Sequence, residues 1–146
     1  MEWPTAGDDL YATCENVQQW AHRRFRYVDD SIRWKDDANL KAGEHWETDA
    51  ELIEEIEHKG FVDGDCDAFA KLAWMALRRL KVPSRLVMCL VPGYGYHLVC
   101  EAEGWIMDNR QKYAMRRDDL EAGQGYFWLS KSAYEPGGGW TTIPKE

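Results

Sequence analysis

The chain reads as an α+β domain, with helices first and an antiparallel sheet after them. Three observations predict this class. Up to Pro83 the apolar residues recur at helical spacing, beyond Pro83 short apolar runs take the period of strands, and a tight turn at residues 102–104 joins two of those runs. At 146 residues and 17.0 kDa the chain is a single domain, residues 1–146, long enough to bury a real core.

The first helix starts at Asp8 or Asp9, either a good N-cap. It carries Leu10, Cys14, Val17, Trp20, Ala21 and Phe25 on one face and reads as packing without chemistry. Residues Tyr27 to Trp46 are polar and lack periodicity, which predicts a long surface loop of the kind that is often functional in compact domains. A second helix opens on a capping box, Thr48-Asp49-Ala50-Glu51, runs through Leu52, Ile53 and Ile56, and stops at Gly60. A glycine turn at Gly64 leads to the third helix, patterned by Phe69, Leu72, Ala73, Ala76, Leu77 and Leu80 and ending near Lys81, with Pro83 beyond it. Strands follow at Arg85–Val91, Tyr96–Glu101, Gly104–Asp108 and Gly125–Leu129. The tail from Glu135, with Pro136 and three glycines before Trp140, is expected to be loosely held.

Composition excludes several functions. A net charge of −8 and a pI near 5.0 argue against nucleic-acid binding, which needs clustered Lys and Arg, and against docking on an anionic membrane. No apolar run approaches the roughly 20 residues of a membrane span. The start, Met1-Glu2-Trp3-Pro4, has no basic region followed by an apolar stretch, so no signal peptide is read and a reducing cytoplasm is the expected location. The four cysteines are widely spaced and lack CxxC pairs, which indicates neither zinc nor a disulfide framework. Eight scattered tryptophans suit core and rim packing better than a stacking platform. Oligomeric state has no signature in the sequence.

Chemistry is concentrated in Gly64-Asp65-Cys66-Asp67-Ala68-Phe69-Ala70. Cys66 falls at the start of the third helix, where unpaired N–H groups and the helix dipole favour thiolate over thiol. The same groups suit an oxyanion formed when a carbonyl is attacked. The flanking Asp65 and Asp67 oppose thiolate formation unless they are turned away or neutralised, for example by a metal. The plain alternative is a small buried cysteine.

His97 and Asp108 can be related by strand register. If Glu101 pairs with Gly104, paired numbers sum to 205 and His97 lies opposite Asp108. If Glu103-Gly104 forms the loop, the sum is 207 and the two are diagonal neighbours on one face; only an even sum separates them. Two of three registers therefore place a carboxylate beside the imidazole, the pair a cysteine nucleophile needs. The alternative is a satisfied strand histidine and an ordinary turn aspartate. His22, His45 and His58 are assigned to the surface.

Cysteine at a helix N-terminus, followed by histidine and aspartate on successive strands, is the order of papain-like and transglutaminase-like enzymes. Tyr27-Val28-Asp29-Asp30-Ser31-Ile32-Arg33-Trp34, Trp46-Glu47-Thr48, the Cys66 stretch, His97-Leu98-Val99 and Met107-Asp108-Asn109 together resemble the bacterial transglutaminase-like cysteine proteinases, over roughly residues 10 to 130. That family includes periplasmic proteases that release large surface adhesins. The resemblance implies a papain-like or transglutaminase-like core, with Cys66 as nucleophile, His97 as base and then acid, and Asp108 as orienting acid. Asn109 is the fallback orienter, the Cys66 N–H serves the oxyanion, and Trp46 is a neighbour in the cleft. Such a triad requires no cofactor. The adhesin-cleaving branch nevertheless uses calcium beside its cysteine, and the matching acids are Asp65 and Asp67. Here Ala68 stands where that branch tends to carry another acid, which weakens a site that takes about six to eight oxygens; the alternative makes Asp65 a helix cap and Asp67 a dipole partner. The branch is exported whereas this chain shows no signal peptide, which leaves a cytoplasmic or phage-encoded relative open. The expected function is a cysteine peptidase or amidase cleaving a peptide or isopeptide bond through a thioester. Acyl transfer to an amine and a non-catalytic binding module on the same fold are the alternatives.

Overall fold

The computed structural model describes residues 1–28 and 48–144. Helix α1, Leu10–Arg23, starts at Asp9, whose carboxylate accepts the Ala12 N–H at 2.8 Å. Its buried face holds Cys14, Val17, Trp20 and Ala21, and also the polar Gln18. The segment ahead of it packs close: a Cβ on Gly7 would stand 2.4 Å from that of Ala12, so only glycine fits there.

Strand β1, Phe25–Tyr27, pairs in parallel with β2, Val62–Gly64. Helix α2, Asp49–Lys59, lies between them in the chain, with both arms of the Thr48/Glu51 capping box formed and Gly60 at φ 87° as its left-handed stop. The β1–β2 pair sets the entry to α3, Cys66–Arg79, which is separated from the end of β2 by Asp65 alone, its N-cap. Phe69, Leu72 and Leu77 of α3 are fully buried. Burial of each stabilises the fold by about 1.5–3 kcal/mol relative to an exposed position.

Beyond Pro83 a six-stranded antiparallel sheet forms from β3 (Arg85–Val91), β4 (Gly95–Ala102), β5 (Trp105–Met107), β6 (Met115–Arg116), β7 (Phe127–Ser132) and β8 (Trp140–Thr142), in the order β6-β5-β4-β3-β7-β8. A short helix α4, Arg117–Gln124, precedes β7. One face of the sheet, with Leu86, Leu98, Cys100 and Met107, closes the main core against α1, α2 and α3. The other face, with Val87, Cys89, Val99 and Ile106, forms a second core with Leu120, Tyr126 and Trp128.

The tail differs from expectation. β8 pairs with β7 at Ser130↔Thr142, Lys131↔Thr141 and Ser132↔Trp140. Three backbone pairings hold this edge strand although its side chains are exposed, so the expected loose tail is an ordered strand there. The long loop read over Tyr27 to Trp46 lies, from residue 29 on, outside the described residues, as do His45 and Trp46. Among the described residues, no helix is long and apolar enough to cross a membrane.

Candidate active site

Cys66 is the first residue of α3 and is partly exposed. The backbone N–H of Leu98, the residue after His97 on β4, lies close enough to the Cys66 thiol to lower its pKa. This contact has a topological cause. β5 pairs with β4 only from Cys100 to Ala102, so β5 leaves the earlier part of that β4 edge unpaired, and the start of α3 meets it there. The thiol also donates to Asp67 Oδ1 at 3.6 Å.

Burial raises the Cys66 pKa most strongly. The charge of Asp67 raises it further and Asp65 adds to this, while the Leu98 N–H pulls the other way and is outweighed. Burial and the two aspartates thus work against the thiolate that a helix start favours. The other cysteines are raised too, Cys14 and Cys89 to about 12, chiefly by burial, and Cys100 well above its ordinary value for the same reason. In the unfolded chain thiols ionise near pH 8.5 to 9, so there the unfolded state sheds protons that the folded state keeps. Stability contributed by these cysteines is therefore complete below that pH and lost as pH rises above it. The urea midpoint is expected to fall between pH 8 and pH 10, and to fall less steeply in Cys14→Ala.

The β4–β5 register is the 207 alternative: Cys100 faces Met107, and Glu103 (φ 47°) and Gly104 (φ 88°) form the two-residue turn. His97 and Asp108 are accordingly diagonal neighbours, with His97 Nε2 2.6 Å from Asp108 Oδ1, both side chains fully buried. Asp108 also accepts from the Tyr126 O–H at 2.5 Å and from the Arg110 backbone N–H at 2.9 Å. A carboxylate facing three donors is an acceptor, so Nε2 carries the imidazole proton and Nδ1 is left as an acceptor. His97 Nδ1 is buried and, among the described residues, has no hydrogen-bond partner. The ring stands between Tyr94 and Tyr126, edge-on to both at 5.2 and 6.2 Å. The fallback orienter Asn109 takes no part in this pair, and its buried Oδ1 has no hydrogen-bond partner among the described residues.

Two contributions escaped the sequence reading. Gln18 clamps the Asp108 backbone from α1: its Oε1 accepts the Asp108 N–H at 3.1 Å, and its Nε2 donates to the carbonyls of Asp108 and Gln111 at 2.8 and 2.7 Å. α1 is thus more than packing, and a glutamine among Cys14, Val17 and Ala21 on a buried face was the available signal. His22, assigned to the surface, is half-buried, with Nε2 2.7 Å from the Gln111 carbonyl and its ring 4.9 Å from that of Phe69. Tyr126 carried no sequence signal. His58 is exposed as expected.

Ligand atoms of Asp65, Cys66 and Asp67 lie within 4.8 Å of one another. Asp65 acts as the expected cap, with Oδ1 accepting the Asp67 N–H at 3.0 Å. Two carboxylates are hard oxygen donors of the kind calcium takes, but they supply at most about four of its six to eight oxygens. The donor type fits, and the rest of the shell would come from water or other groups.

The Transglutaminase-like superfamily profile matches residues 5–143. The chain belongs to the transglutaminase-like superfamily. Among solved structures, Legionella pneumophila LapG in its calcium-bound form is similar, with a TM-score of 0.62 and 17% identity over 89% of this chain and 67% of that one. EGTA-treated LapG gives 0.63 and 18% over 90% and 66%. At these identities the likeness shows the transglutaminase-like fold, and this chain spans about two thirds of LapG's length. No curated protein matches the chain.

Proposed function

We propose that this transglutaminase-like domain is a cysteine peptidase or amidase that cleaves a peptide or isopeptide bond in a protein substrate, with Cys66 as nucleophile, His97 as base and acid, and Asp108 as orienting acid. The observation that supports this reading best is the hydrogen-bonded His97–Asp108 pair, with Nδ1 unpartnered among the described residues, on the strand whose next N–H acts on the Cys66 thiol. His97 Nδ1 takes the thiol proton as sulfur attacks the carbonyl carbon, and the Cys66 N–H at the head of α3 faces the developing oxyanion. Imidazolium, stabilised by Asp108, returns the proton to the leaving nitrogen as the C–N bond breaks, which leaves a thioester on Cys66. Water then attacks the thioester carbon as His97 takes one of its protons, the C–S bond breaks with that proton passed to sulfur, and the carboxylic acid that leaves ionises to the carboxylate.

The same site would transfer the acyl group to an amine if an amine replaced water. Product analysis separates the two: incubation with a peptide mixture is expected to yield new free carboxylates. Amide-linked products in the presence of a primary amine would assign acyl transfer instead.

Calcium beside Cys66 belongs to the same proposal, because LapG is described in calcium-bound and EGTA-treated forms. Asp65 and Asp67 would hold the ion, which would supply positive charge against the aspartates that disfavour thiolate. Calcium added to EGTA-treated protein is expected to raise the melting temperature, and Asp65→Asn, which keeps the helix cap, is expected to abolish the rise. An unchanged melting temperature would remove the metal and leave the triad standing.

A further inference from the structure

The Asp108 carboxylate is held from two sides. Oδ1 accepts from His97 and from the Arg110 backbone N–H, and Oδ2 accepts from Tyr126. The Tyr126 oxygen is itself the target of Arg110 Nη1 at 3.1 Å and Gln111 Nε2 at 3.2 Å. Gln111 is in turn locked in a reciprocal amide pair with Gln124, at 2.8 and 3.1 Å. With two N–H donors aimed at its oxygen, the phenol has one proton and one place for it, Asp108. Burial and the charge of Asp108 raise the Tyr126 pKa, which keeps that proton in place. Arg110 also stacks over Tyr94, 4.8 Å from its ring, so one guanidinium ties together the two tyrosines that flank His97.

We propose that Tyr126 is a positioning residue: by filling Oδ2 with its O–H it fixes the Asp108 rotamer that presents Oδ1 to His97. It thereby holds the imidazole in the Nε2–H form that leaves Nδ1 for the Cys66 proton. This rests on the Cys–His–Asp reading above. Tyr126 donates to Asp108 and acts through it, so its removal should matter only while the Asp108 carboxylate is present. A residue that merely packed the second core would show the same loss in either background.

The test is the rate of Cys66 alkylation by iodoacetamide at one fixed pH, read by mass spectrometry in the full chain. Wild type, Tyr126→Phe, Asp108→Asn and the double variant are compared, with exposed Tyr113→Phe as control. Tyr126→Phe is expected to slow alkylation by about tenfold, Asp108→Asn by more, and the double variant no further than Asp108→Asn alone. A wild-type rate in Tyr126→Phe, or an equal loss in both backgrounds, would overturn the role of Tyr126 and leave the triad intact. If His97→Ala alkylates as fast as wild type, the triad reading falls and this inference with it. Ring ¹⁵N shifts of His97 in the unmutated protein give an answer that needs no variant to fold. A protonated Nε2 and bare Nδ1 are expected, and the opposite tautomer would overturn the proposal.

Discussion

Replacing Cys66 with alanine is expected to lower turnover of a cleaved peptide by at least about three orders of magnitude while leaving the protein folded. The magnitude follows from removing the one atom that forms the acyl-enzyme, since the oxyanion donors and substrate binding that remain account for only a residual rate. The fold should survive because Cys66 is a small, partly exposed residue whose thiol makes one long hydrogen bond, donated to Asp67. His97→Ala should produce a comparable loss, and the two losses should not add, because nucleophile and base act as a unit. The measurement is peptide turnover, with melting curves for each variant. Undiminished turnover in Cys66→Ala would remove the thiol from the chemistry.

Asp108→Ala is expected to give the largest loss of stability, about 3–5 kcal/mol, because three buried donors lose their acceptor at about 1–3 kcal/mol each. His97 Nε2, the Tyr126 O–H and the Arg110 N–H would all lose their acceptor in a region with little water to replace it. Asp108→Asn separates orientation from folding. The amide keeps the shape, but it has one oxygen for three donors, and its NH₂ set against His97 Nε2 would push the imidazole toward the wrong tautomer. It should therefore cost less stability while still lowering turnover by about 10³- to 10⁴-fold, the range set by wrong-tautomer variants of catalytic triads. Urea midpoints and turnover of the two variants check both halves. A stable, active Asp108→Asn would exclude the aspartate from the site.

The parts of the fold that sequence reading located are those in which local chemistry and the final structure agree. The Asp9 cap, the Thr48/Glu51 box, the Gly60 stop and the long apolar strand Arg85–Val91 each carry their own signal and fall where expected. The three-residue strands β1, β2 and β8 are too short to show a period and exist only because a partner strand pairs with them. The β4–β5 register was narrowed to alternatives, and the Glu103-Gly104 turn, with positive φ at both residues, selected one. At the candidate site, the residues proposed to carry the chemistry were legible by type and order. The residues that hold them were not: Gln18 and Tyr126 lie 90 and 18 positions from Asp108, and only the folded packing brings them to it. Burial and the charges of Asp67 and Asp65 raise the Cys66 pKa, the opposition to thiolate read from the aspartates flanking the sulfur.

The most direct test of the account is the selectivity of iodoacetamide for Cys66 over Cys14, Cys89 and Cys100, followed by mass spectrometry in wild type and in His97→Ala, each with calcium and with EGTA. Cys66 is expected to react well ahead of the three buried cysteines and to lose that advantage in His97→Ala. A Cys66 as inert as the other three in both media, or equally reactive without His97, would contradict an imidazole-activated thiol and turn the reading toward a binding module on the same fold.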